Sequence, residues 1–244
     1  MEQTTKHVVM EAPHPFSSPF IIDSARKRNA CYVEVSGQPY EAHWTGDWAV
    51  FDFSDTTKLK NFELIPMTLS TEVLELWAHT EPLAFGAYAC VRLDATARYP
   101  VVKIAHPNDQ CRQLVHREFE IMQRLYHTGA VAEVAAHPLF DKHGTYGFRL
   151  ERLYAIYLDE FQKRHDEVKE LLDTIHAAGY CHGDFSPSNI LKTKTGRLLM
   201  IDLAFSGLVK DKTPDYFPAY LFKDGVFTET VDHQRLERWP TRVA

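Results

Sequence analysis

Lys103 stands inside the apolar run Val101-Val102-Lys103-Ile104-Ala105, and an ammonium in a buried strand needs a counter-charge. Fifteen residues later, Glu118 falls on a helical stripe made by Leu114, Ile121, Met122 and Leu125. A carboxylate on the packing face of a helix is costly unless it is paired. Each of these residues could satisfy the other. The alternative at this level is that Glu118 fringes the stripe while Lys103 snorkels to water. Further on, the loop His182-Gly183-Asp184-Phe185-Ser186-Pro187-Ser188-Asn189 carries a carboxylate and an amide, and Leu199-Met200-Ile201-Asp202 is an apolar run stopped by a second carboxylate. Carboxylate and amide oxygens are the hard donors that Mg²⁺ prefers. A loop carboxylate can also accept or orient the proton of a hydroxyl.

Definite elements must carry these side chains. Residues 1–20, with three prolines, read as an extended or poorly ordered arm. Strands are expected over 31–37, 39–44 and 48–54, with turns at Gly37-Gln38-Pro39 and Thr45-Gly46-Asp47. A strand, a turn and two more strands follow over 84–105, the last holding Lys103. A helix is predicted from about 111 to 127, ending before Gly129, and a strand over 147–153. One helix then runs over 159–178, with Asp159 and Glu160 at its positive end, Val168, Leu171, Leu172 and Ile175 on its buried face, and Gly179 beyond it. The Asp184 loop leads into a hairpin of 189–192 and 197–203, and the tail offers a loop over 207–225 and one helix near 229–239.

Composition narrows the class. The chain has 27 Lys+Arg against 33 Asp+Glu, a formal charge of −6, with 45% hydrophobic and 25% charged residues. That balance belongs to a globular chain; it disfavours disorder and carries no compositional sign of a collagen-like or disulfide-stapled chain. The mild acidity argues against a nucleic-acid partner bound through bulk charge. Four cysteines without C-x-x-C spacing read as reduced thiols, implying a cytoplasmic setting. No apolar signal segment or 18-residue apolar run occurs, so neither secretion nor a membrane span is expected. His176, Cys181 and His182 lack the spacing of a zinc site, and no G-x-S-x-G motif supports a hydrolase. Ser186 and Ser188 read as loop hydrogen-bonders. Tyr216, Phe217, Tyr220 and Phe222 read as core packing, with an acceptor pocket as the other possibility.

The order Lys103, Glu118, His182-Gly183-Asp184, Asn189, Asp202 resembles the protein-kinase-like phosphotransferase superfamily. The fold this implies is α+β: a minimal bilobal kinase-like fold with an antiparallel-sheet N-lobe, a reduced helical C-lobe and a strand-rich N-terminal extension. The corresponding boundaries are 1–65 for the extension, 66–153 for the N-lobe and 154–244 for a truncated C-lobe. The resemblance spans about residues 80–205. It makes Asp184 the base, Asn189 and Asp202 the magnesium ligands, and Lys103 the phosphate-holding lysine steadied by Glu118. The cofactors implied are ATP and Mg²⁺. Gly86 and Val91 align with the glycine-rich loop, and Glu151 and Leu153 with the backbone that meets adenine. In that loop Ala84 and Ala89 replace two glycines, and Asp202-Leu203-Ala204 stands where D-F-G is usual. His182-Gly183-Asp184 replaces H-R-D, as in aminoglycoside and choline kinases and other small kinases of this type, so no arginine is present to anchor a phosphorylated activation loop. The implied reaction moves the γ-phosphate to a hydroxyl acceptor, with a small molecule favoured over a protein Ser/Thr. A pseudokinase or nucleotide-binding module is the reading from another class.

Overall fold

Alternating apolar residues build the first of the two compact units into which the chain divides, Met1–Arg92 and Leu93–Ala244. The computed structural model describes residues 14–15, 19–47, 53–222 and 224–239. In the first unit, β1 (His14–Pro15) and β2 (Phe20–Asp23) both pair antiparallel with β3 (Arg28–Val35). β3 pairs in turn with β4 (Gln38–Thr45), and β4 with β5 (Lys60–Pro66). Cys31, Val33 and Val35 on β3, and Ala42 and Trp44 on β4, face one side at the two-residue strand period and form a core with Phe53. The β3–β4 turn is Ser36-Gly37, both at positive φ (50° and 75°), which suits the twist of a two-residue hairpin. It sits one residue earlier than expected because Gln38 and Pro39 already pair in β4. The strand expected over 48–54 lies mostly outside the described residues, and from Phe53 to Lys58 the chain is a 3-10 segment. Most of the arm expected over 1–20 is likewise outside them.

The unit continues through α1 (Thr71–Ala78), capped by the Ser70 hydroxyl, then β6 (Glu81–Phe85) and β7 (Ala89–Leu93). Nothing in the sequence marked Arg92, yet it is only 3% exposed. It donates to Glu34 Oε2 at 2.6 Å, to Thr80 Oγ1 at 2.8 Å and to the Thr80 carbonyl at 2.7 Å, and its guanidinium lies 4.0 Å from the Trp77 ring centre. A buried cation is tolerable when its charge and donors are met this fully.

The second unit holds Lys103, Glu118, Asp184, Asn189 and Asp202. β8 (Val101–Ala105) is followed by α2 (Asp109–Leu125), whose N-terminus is capped by Asn108. β9 (Leu139–Asp141) and β10 (Gly144–Leu150) complete an antiparallel β8-β10-β9 arrangement, with Phe148 opposite Lys103. Gly147 is required there, because a Cβ would meet the Lys103 carbonyl. α2 lays Leu114, Val115, Phe119 and Met122 against this sheet, the Phe119 and Phe148 rings 5.8 Å apart.

Then come β11 (Tyr154–Ala155), α3 (Leu158–Lys163) and α4 (His165–Ala177). The single helix expected over 159–178 is thus two, broken at Arg164 (φ −108°, ψ 20°). Phe161 and Val168 are buried, but no apolar residue lies between them, so the apolar pattern says nothing about the break. The remaining elements are β12 (Tyr180–Cys181), the hairpin β13 (Ile190–Lys192) and β14 (Leu198–Met200), β15 (Gly207–Leu208) and α5 (Glu229–Leu236). β11 pairs with β13, and β12 with β15. The result is the α+β class expected from sequence. Among the described residues no helix is long and apolar enough to cross a membrane.

Candidate functional site

Three elements of the second unit bring the odd charges together. β8 delivers Lys103, α2 delivers Glu118, and the end of β14 delivers Asp202. Lys103 Nζ lies 2.6 Å from Glu118 Oε2 and 2.7 Å from Asp202 Oδ1. The Glu118 side chain is 2% exposed and that of Lys103 13%, so the snorkelling alternative fails. Burial alone would depress the Lys103 pKa, but the carboxylates of Asp202 and Glu118 outweigh it and hold the ammonium above its usual range. Asp202 takes a left-handed conformation (φ 66°, ψ 51°), which a short polar side chain tolerates better than most.

The loop from β12 to β13 carries the other pair. The Asn189 amide nitrogen donates to the Asp184 carbonyl at 2.9 Å, which leaves Asn189 Oδ1 as the atom able to meet a cation. Ile201, beside Asp202, joins the two groups: its N–H donates to the Asn189 carbonyl at 3.0 Å, and its carbonyl accepts from His182 Nε2 at 3.0 Å. His182 is fully buried under the loop, with the edge of its ring against Phe185. Ser186 and Ser188 share a 2.7 Å hydrogen bond, as loop-formers would.

Gly183 gives a reason for the H-G-D variant that the sequence did not. Its φ is +76°, and any Cβ would collide with the Phe205 carbonyl and the Phe222 ring. No arginine fits there. Phe217 and Phe222 do pack in a buried aromatic cluster with Phe205 and Phe227. Tyr216 and Tyr220 do not, being 38% and 80% exposed, so core packing holds for two of the four tail aromatics. The four cysteines are buried, and burial pushes the thiols of Cys90 and Cys181 up to about 12.

After β10, Glu151 exchanges backbone and side-chain hydrogen bonds with Glu133. This fixes the segment that ends in buried Leu153 and leaves the Glu151 carbonyl free of backbone partners among the described residues. Gly86 and Val91 belong to the first unit. Gly86 starts the β6–β7 turn, its N–H donating to the Ala89 carbonyl at 2.8 Å, and a Cβ on it would be at an ordinary 3.6 Å from that oxygen.

Two residues essential to the geometry were missed, both on α5. Asp232 is fully buried and accepts from the His182 N–H at 2.7 Å, the Gly183 N–H at 2.9 Å and His176 Nε2 at 3.0 Å. Arg235 Nη1 donates to Asp184 Oδ1 at 2.6 Å. Burial raises the Asp184 pKa above the usual carboxylate range, and Arg235 limits the rise. The available signal was an Asp and an Arg three apart on the tail helix, and therefore on one face.

Replacing Asp232 with Asn leaves one acceptor oxygen where three donors converge. Each buried donor left unpaired costs about 1–3 kcal/mol, so urea denaturation of Asp232→Asn should show a loss of about 3 kcal/mol. A change below about 1 kcal/mol would contradict the anchoring role.

Residues 90–224 of the chain match the family described as the RIO domain. Over 175 residues the chain is 23% identical to a Drosophila melanogaster protein provisionally named mitogen-activated protein kinase 14C. The aligned stretch covers 61% of this chain and 49% of that protein, so the chain spans about half the length of this curated relative. α5, with Asp232 and Arg235, lies beyond the residues that match the RIO domain.

Proposed function

The chain belongs to the RIO domain family, and on that premise we propose that it is an ATP- and Mg²⁺-dependent phosphotransferase moving the γ-phosphate to a hydroxyl acceptor, a small molecule before a protein Ser/Thr. The observation that supports this best is the convergence of Lys103 on both Glu118 and Asp202, next to the Asp184–Asn189 loop. The donor set suits the cofactor. Lys103, Glu118 and Asp202 sum to one negative charge and the Asp184–Arg235 pair sums to zero, so a divalent cation is welcome. Asp202 and Asn189 Oδ1 would hold it. Bound Mg²⁺-ATP supplies the phosphoryl group and neutralises the charge that develops on its oxygens.

The chain's own residues do the positioning. Lys103, kept in place by Glu118, offers its ammonium to the phosphates. Asp184 orients the acceptor hydroxyl and accepts its proton. The Glu151 carbonyl and the Leu153 backbone meet adenine. In this reading 66–153 and 154–244 are the two lobes and 1–65 an added extension, and the buried thiols suit a reducing cytoplasm. Gly183 supports the small-molecule preference, since the arginine that would read a phosphorylated activation loop has no room.

Arg235 opposes the pull of burial on Asp184 and favours its ionised form. Protonated Asp184 accepts nothing, so activity falls on the acid side of its pKa. Arg235→Gln removes the cation and lets that pKa rise further. The acid limb of the kcat/KM profile should therefore move to higher pH, and an unmoved limb would count against Asp184 as the base.

A second reading has its own observation: Arg235 bonds Asp184 and occupies the carboxylate that would take the hydroxyl proton, which a nucleotide-binding module does not need. Thermal shift with Mg²⁺-ATP, followed by an untargeted screen of hydroxyl metabolites for ATP-dependent mass gain, separates the two. One phosphoryl gained on one acceptor supports the transferase. Binding without turnover on any metabolite or protein favours the module, and no shift with Mg²⁺-ATP overturns both.

A further inference from the structure

His176, which the sequence offered beside Cys181 and His182, has other company in the structure. Burial pushes the Cys181 thiol up to about 12, and His182 spends Nε2 on the Ile201 carbonyl. His176 instead lies on α4 one turn after Asp173 and faces His233 of α5. One ring nitrogen from each histidine and a carboxylate oxygen of Asp173 all lie within 4.8 Å of one another.

We propose that Asp173, His176 and His233 form a divalent transition-metal site of the zinc class, with three protein ligands and a water, joining α4 to α5. Two imidazoles and one carboxylate favour zinc, cobalt or nickel over magnesium. The ring spacing fits independently. With a metal–nitrogen bond of about 2.1 Å, two imidazoles at a tetrahedral angle hold their centres about 5 Å apart, and these are 5.0 Å apart at an interplanar angle of 71°. Ligand atoms around such an ion are roughly 3.4 Å apart at that bond length, so side-chain rotation closes the remaining gap.

The second observation is the buried partner of His176. Its Nε2 donates to Asp232 Oδ2 at 3.0 Å, which leaves Nδ1 as the nitrogen that can meet a metal and makes the ring a better donor. A carboxylate behind a ligating histidine is a recurring support of metal sites. Here it is the same carboxylate that holds the His182 and Gly183 N–H groups. The metal would thereby fix α5, and with it Asp232 and Arg235, beneath the Asp184 loop. One competitor exists: Lys169 Nζ is 2.7 Å from Asp173 Oδ2. Both side chains are about half exposed, and such pairs contribute little, so a metal displaces the ammonium readily.

The test uses the full chain and zinc chloride in competition with a chromophoric chelator, with cobalt(II) as a spectroscopic probe. Neither readout depends on ATP. The wild type should take up one equivalent and melt at a higher temperature with zinc. His233→Ala, and separately Asp173→Asn on the more exposed helix face, should weaken binding on the order of 100-fold and abolish the thermal shift. Cobalt should give tetrahedral absorption without a thiolate charge-transfer band. No one-equivalent binding in the wild type, unchanged binding in both variants, or a thiolate band would each overturn the proposal.

Discussion

Asp184→Asn should lower kcat by about 10²–10⁴-fold while leaving the thermal shift with Mg²⁺-ATP intact. In the proposed mechanism this carboxylate takes the hydroxyl proton, and asparagine retains its shape without that capacity. The loop should survive the change, because its architecture rests on backbone groups: Asn189 bonds the Asp184 carbonyl, and Asp232 bonds the N–H groups of His182 and Gly183. Asp202→Asn should behave differently. It removes a charged oxygen donor from the proposed cation site, so both turnover and the Mg²⁺-ATP shift should shrink. Asparagine accepts the left-handed conformation of Asp202 at least as well, and Lys103 keeps Glu118. Steady-state kinetics and thermal shift on both variants make the check. Full ATP-dependent transfer by either one would refute its assigned role.

Lys103→Met should have two separable consequences. The transition state loses a positioned cation, lowering kcat/KM by about 10²–10³-fold. Glu118, 2% exposed, becomes a buried charge without its counter-ion, which costs about 3–5 kcal/mol of stability. Adding Glu118→Gln removes the stranded charge, so the double variant should recover most of the stability and none of the activity. If Lys103→Met unfolds at the wild-type urea concentration, the pair is not the buried couple described.

The same pair sets an alkaline limit. The folded-state pKa of Lys103 lies above the unfolded value of 10.5, so its contribution is complete below that value and is lost as pH rises through the folded one. Stability from this source should be level through neutral pH and decline only above pH 10.5.

Much of the site was legible because burial makes misplaced charges conspicuous. Lys103 in an apolar strand and Glu118 on an apolar helix face each signalled a missing partner, and α2 formed within two residues of the expected bounds. The β13–β14 hairpin and its terminal Asp202 followed from turn residues between apolar runs. The division of the 159–178 helix was not legible, since only polar residues span the break at Arg164. Nor was Arg92, whose partners Glu34, Trp77 and Thr80 are read correctly only once the chain has folded around them.

The amino-acid order alone determined which chemistry the chain carries: an ammonium, a buried carboxylate, and oxygen donors in a loop and at a hairpin end. It could do so because strand and helix periods decide locally which residues face inward. The tertiary structure alone decided what controls that chemistry. Arg235 meets Asp184 across 51 positions, Asp232 reaches His182 across 50, and His176 faces His233. Contacts between residues so far apart leave no periodic trace in the chain, because their proximity depends on how α4, α5 and the loop pack and not on the conformation of any one segment.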